Sequence, residues 1–156
     1  MTFHTKTGDV ARFTKTVGES DIYGFAGITG DLSANHVNEA SMKSSPYGGR
    51  IAHGALMVGF MSTASTMICE RAMARSATDQ LLPVSLGYDN VRFLKGVRIG
   101  DTITVVYTVK EIREEKRRSY GSVEVSNQHG ELVAVATHIL QWVPTAPMAN
   151  EQRAAS

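Results

Sequence analysis

Residues 51–69 are so rich in Ile, Leu, Met, Val, Phe and Ala that every fold open to this chain must bury them. A helix that is apolar nearly all the way round cannot lie on a wet surface. It needs either a bilayer or cover from the rest of the protein on almost every side. His53, Gly54, Gly59, Ser62, Thr63, Ser65 and Thr66 interrupt the run, and Glu70-Arg71 closes it. These favour a buried central helix over a membrane span.

The flanking sequence supplies the cover. From residue 84 onward the apolar pattern changes to period two, which predicts strands over residues 84–93, 102–112, 118–126 and 131–143 of an antiparallel sheet. Gly100-Asp101 and Gln128-His129-Gly130 are turns, and residues 111–118, seven of eight charged, form a solvated hairpin end. Upstream, residues 11–17 alternate as a first strand, and Gly18-Glu19-Ser20-Asp21 then offers a turn with helix-capping side chains. Ile22, Phe25, Ala26 and Ile28 suit a short amphipathic helix that Gly30 stops in a left-handed cap. Residues 38–43 read as another short helix. The adjacent glycines Gly48 and Gly49 mark close backbone approach or mobility. Strand, short helices, long helix and four strands predict an α+β class, a sheet wrapped around one helix. A single domain over residues 1–143 is expected, with a loose tail over 144–156.

Charge and cysteine usage narrow the function. Sixteen Lys+Arg against fifteen Asp+Glu leave no basic field for nucleic acid or an anionic membrane surface. The single Cys69 gives no intrachain disulfide and no cysteine cluster for zinc. A reducing compartment fits, and the polar N-terminus has no signal-peptide core, so the cytoplasm is expected.

Chemistry concentrates in two short segments. In Gly30-Asp31-Leu32-Ser33-Ala34-Asn35-His36, a carboxylate and an imidazole five residues apart can supply a base and an acid at one point. Ile51-Ala52-His53-Gly54 opens the long helix, whose first N–H groups and positive end suit developing negative charge. Each residue also has a structural reading: Asp31 as a turn cap, His36 as a loop histidine, His53 as a buried hydrogen-bonded ring. The last is the favoured reading of His53, which is left out of the catalytic set. Five histidines at positions 4, 36, 53, 129 and 138 show no metal-ligand spacing, so no metal is expected. Ser62 lacks the Gly-x-Ser-x-Gly elbow of a nucleophile.

These segments, over roughly residues 13–143, resemble the MaoC-like dehydratases, in particular the R-specific enoyl-CoA hydratases of the hot-dog fold. The family's Asp, its His five residues on and its Ile/Val-x-His-Gly at the helix entry fall on Asp31, His36, Ile51, His53 and Gly54. The family's active-site serine falls on Ser62. Ser33-Ala34 stand where the family usually has Asn-Pro, and alanine does not fix φ as proline does.

The resemblance implies addition of water to a 2-enoyl-CoA, or the reverse. Asp31 and His36 would act jointly as acid and base, with Gly54 N–H as oxyanion donor, Ser62 in support and no cofactor beyond the CoA of the substrate. Met57, Phe60 and Met61 are candidates to line the acyl channel. Arg92, Lys95 and Arg98 are candidates to meet the CoA phosphates. The resemblance further implies a homodimer at least. A thioesterase on the same fold and a non-catalytic acyl-thioester-binding module remain alternatives. Against the thioesterase, the nearest helix carboxylate, Glu70, is about 24 Å along the helix from Gly54. The acyl group and the physiological direction are left open.

Overall fold

A computed structural model describes residues 4–75 and 81–145. Strand β1 (Val10–Thr16) is followed by helices α1 (Glu19–Thr29), α2 (Ala34–Val37), α3 (Glu39–Met42) and α4 (Gly54–Ala74). Strands β2 (Leu81–Phe93), β3 (Thr102–Arg113), β4 (Arg118–Ser126) and β5 (Leu132–Pro144) complete the chain. Each predicted element forms, with ends displaced by a few residues. The predicted tail begins at the last residue of β5, and residues 146–156 lie outside the described residues.

Local chemistry fixes the short helices. The Gly18 N–H donates to Asp21 Oδ2 at 2.8 Å, and α1 ends at Gly30 with φ of 78°, its N–H returning to the Ala26 carbonyl. The cap therefore turns the chain sharply just before Asp31. Asn38 caps α3 by accepting the Ser41 N–H at 3.0 Å.

The five strands form one antiparallel sheet in the order β1-β3-β4-β5-β2. Ile103, Val105, Tyr107 and Val109 of β3 alternate inward, as do Val123 and Val125 of β4. They meet Met57, Phe60, Met61, Ala64 and Ile68 of α4 in a common core. Each such aliphatic side chain, fully buried, contributes about 1.5–3 kcal/mol of transfer free energy. The sheet thus covers one face of α4, while Ala55, Gly59, Ser62, Thr63, Thr66 and Glu70 on the other face are exposed, so the expected cover on almost every side is met on one face only. No helix among the described residues is long and apolar enough to cross a membrane.

The charged end of the β3–β4 hairpin is a 3₁₀ turn over Glu114–Lys116 closed by Arg117 at φ of 50°, with all three turn residues exposed. The edge strand β2 departs from strict alternation. Its register against β5 shifts between Ser85 and Gly87 and again between Asp89 and Arg92. Asn90, at φ of 53°, lies within the second shift. These irregularities set the placement of Phe93, which forms part of the site.

Candidate active site

Three backbone-anchored segments converge at the N-terminus of α4. The α1 cap delivers Asp31, α2 carries His36, and residues 51–53 lead into Gly54. Ile51 grips the second segment twice: its N–H donates to the Asn35 carbonyl at 3.0 Å, and its own carbonyl accepts from His36 Nδ1 at 2.8 Å. Ala52 is tied in turn to Val97, its N–H meeting that carbonyl at 2.7 Å.

The His36 bond to Ile51 assigns a tautomer. A carbonyl accepts only, so Nδ1 carries hydrogen and the neutral ring keeps a lone pair on Nε2. That lone pair faces Asp31 Oδ2 at 4.0 Å, beyond direct hydrogen-bond reach. The other carboxylate oxygen accepts the Ser33 N–H at 3.2 Å. Asp31 therefore makes the turn bond read from the sequence and also stands opposite His36. One oxygen caps the turn and the other confronts the imidazole. Ser33 also donates through its hydroxyl to the Asn35 side chain. The loop without proline is thus held by side-chain bonds across the turn.

His53, read from sequence as a buried and hydrogen-bonded ring, is 1% exposed and donates from Nε2 to the Asp31 carbonyl at 3.0 Å. Its ring stacks on His36, centroids 3.8 Å apart with 29° between planes, and Phe25 lies 4.8 Å away. Asp31, His36 and His53 bring one ligand atom each within 4.8 Å of one another, a cluster that sequence spacing did not reveal.

A cavity of about 360 Å³ opens beside this cluster, walled by His36, Tyr47, Gly54, Met57, Phe93 and Lys95 together with the 94–97 backbone turn. Gly54 brings the helix backbone into close contact with an aromatic ring. A Cβ there would lie 2.6 Å from Cδ2 of Phe93, whose ring rests on the helix entrance. Of the residues singled out in the sequence, His36, Ile51, Gly54, Met57 and Lys95 line the cavity. Asp31 stands next to it with a half-exposed side chain.

Phe60 and Met61 are core residues outside the lining, Ser62 is exposed on α4, and Arg92 donates to the Val91 carbonyl. Lys95 is paired with Glu131, whose carboxyl it holds below the usual range. The Arg98 guanidinium has no hydrogen bond or ion pair among the described residues, and it stands over Gly48 at the rim. Tyr47, Phe93, Leu94, Gly96 and Val97 were missed in the sequence. Gly96, which has Tyr47 and Ile51 packed on its backbone, was the available signal.

A sheet wrapped around one helix, with an imidazole and a carboxylate brought together at that helix's N-terminal end, defines a hot-dog domain. The MaoC-like domain model matches residues 3–131, and the chain belongs to that family. It is 38% identical over 114 residues to the (R)-specific enoyl-CoA hydratase of Rhodospirillum rubrum, spanning 72% of this chain and 71% of that protein. The solved R-hydratase PhaJ1 of Pseudomonas aeruginosa is similar at 26% identity with a TM-score of 0.69, covering 92% of this chain and 89% of the other. A hot-dog-like protein from Thermanaerovibrio acidaminovorans, at 18% identity and a TM-score of 0.64, covers 97% of this chain and 91% of its own, a likeness of fold.

Proposed function

We propose that the protein is an R-specific hydro-lyase that adds water to a 2-enoyl-CoA or removes it from the 3-hydroxyacyl-CoA. The observation that carries this reading is the 4.0 Å gap between Asp31 Oδ2 and His36 Nε2 next to the cavity. Both atoms are acceptors when His36 is neutral, so neither satisfies the other, and a water bridging them would donate to each.

In hydration the water oxygen bonds to Cβ. The proton it loses passes to the pair, the pair returns a proton to Cα, and the enzyme ends as it began. As Cβ is attacked, negative charge moves to the thioester oxygen, for which the Gly54 N–H at the helix start is the donor. Such a donor is worth about 10²–10³ in rate and positioned acid–base catalysis about 10²–10⁴. Met57 and Phe93 would flank the acyl group. At the rim, Arg98 is free to meet a CoA phosphate while Lys95 already has Glu131. No cofactor or metal enters this scheme, and Ser62 keeps a supporting role.

A homodimer goes with this reading. Strand β2 is a sheet edge, and Leu82, Val84 and Leu86 leave an exposed apolar row along it. A second copy paired there would cover the row and extend the sheet. Sedimentation showing an active monomer would contradict it. A cytoplasmic location remains part of the proposal.

The test is incubation of the pure protein and an Asp31→Asn variant with crotonyl-CoA and longer or branched enoyl-CoAs, following enoyl absorbance and free thiol together. Absorbance loss without thiol release, giving the R-3-hydroxyacyl product and falling about 10²–10⁴-fold in the variant, is expected. Thiol release would point instead to a thioesterase. Binding without turnover in either protein would point to a binding module.

A further inference from the structure

His53 transfers no proton in the scheme above, yet it touches both residues that do. Its Nε2 lies 3.0 Å from the Asp31 carbonyl. The hydrogen must therefore sit on Nε2, and Nδ1 is left as a bare lone pair. That Nδ1 is buried and has no hydrogen-bond partner among the described residues. One ring face covers His36 at 3.8 Å. The backbone of His53 caps α4, so the same residue is fixed to the helix whose first N–H is the oxyanion donor.

Support of the fold alone would not call for an imidazole here. An apolar ring of similar size would fill the space beneath His36 without burying an unmet acceptor. What the imidazole adds is one directed N–H and one neutral π face, and each is aimed at a member of the pair.

We infer that His53 is the positioning residue of this site. Its N–H holds the Asp31 backbone so that the carboxylate stands a water's width from His36, and its neutral ring is the surface on which His36 changes charge. The inference rests on the acid–base reading of Asp31 and His36. Anchoring the Asp31 carbonyl from below fixes the starting point of a short side chain with only two rotatable bonds, so the gap to Nε2 follows from it. When His36 takes a proton, its cation lies against the face of an uncharged aromatic ring.

Two substitutions separate the two contributions. His53→Gln keeps an N–H donor near the reach of Nε2 and removes the ring; His53→Phe keeps a ring and removes the donor. On the enoyl-CoA that the wild type hydrates, the Phe variant is expected to lose about 100-fold in kcat with KM within about threefold. The Gln variant is expected to regain at least about tenfold of that loss. Both should keep the wild-type far-UV spectrum and oligomeric size. A Phe variant within about threefold of wild-type kcat overturns the inference, and so does an equal loss in both variants or a KM that rises in step with the fall in kcat.

Imidazole ¹⁵N spectra of the wild type decide the matter if the variants do not fold, or if no enoyl-CoA is turned over. A neutral-pH His53 protonated on Nε2 and bare on Nδ1 supports the inference, whereas the reverse tautomer overturns it. Absence of turnover with the expected tautomer would count against the hydratase reading and leave the anchor standing.

Discussion

Two groups of buried histidine in this protein are wired in opposite ways. His138, on β5, is fully buried, and both its nitrogens are engaged. Nε2 meets Ser85 Oγ at 2.8 Å, while Nδ1 meets the Tyr107 hydroxyl at 3.0 Å and Ser65 Oγ at 3.3 Å. Burial pulls its pKa down from 6.5 to about 4, and burial likewise raises that of the Tyr107 phenol. At the helix entrance, His36 and His53 each give one nitrogen to a backbone carbonyl and leave the other uncommitted. A histidine whose nitrogens are both engaged holds a core together. One with a free nitrogen next to a cavity can move a proton.

Substitution of each histidine sharpens that contrast most strongly. His36→Gln is expected to lower kcat by about 10²–10⁴-fold with little change in thermal midpoint. His138→Leu should keep the activity of the folded fraction but lose roughly 2–4 kcal/mol, because the buried Tyr107 and Ser65 hydroxyls are left without their partner. Turnover assays beside urea titrations read both, and a His138→Leu protein as stable as wild type would break the comparison.

The Tyr107–His138 bond rests on an absent side chain. A Cβ on Gly121 would lie 2.2 Å from Cζ of Tyr107, a buried ring with no room to retreat. Gly121→Ala is therefore expected to destabilise by about 1–3 kcal/mol or more, measured by urea midpoint, without altering KM of the folded fraction. Gly54→Ala is no counterpart to it, since Phe93 is half exposed and can swing aside.

The smallest effect is one of pH. In the unfolded chain His138 binds a proton below about 6.5, while in the folded protein it does so only below about 4. Between those values the unfolded state holds more protons, so stability falls as pH falls. The loss amounts to at most about 3 kcal/mol and levels off below the folded pKa. Urea midpoints taken across this window should decline in the wild type and decline less in His138→Leu. Equal slopes would mean that the acid sensitivity lies elsewhere.

Much of the fold was legible because it is written in local pattern. The apolar run became α4, the period-two segments became β2 to β5, and Gly30 takes the left-handed cap assigned to it. The charged stretch at 111–118 became the exposed hairpin end. Cys69, buried with its thiol pushed up to about 11, is a packing residue in keeping with its isolation in the sequence. At the site, the spacing of Asp31 and His36 and the Gly54 helix start could be read directly. The acyl-channel residues could not. A helix with apolar residues nearly all round carries in its sequence no mark for the part of its buried face that borders a cavity, so Met57 lines the space while Phe60 and Met61 are core.

By itself, then, the sequence determined which elements form and which residue types could carry acid–base chemistry, because helical and strand periods, caps and turns act over a few residues. Tertiary structure alone decided who meets whom. The stack of His53 on His36, its bond to the Asp31 carbonyl 22 residues away, and the engagement of His138 with Ser65 at a separation of 73 are its doing. So is the seating of Phe93 on Gly54 past two register shifts in β2. These contacts depend on sheet order, strand register and the angle at which α4 crosses the sheet. No short stretch of chain encodes those quantities, because each is settled by packing the whole core at once.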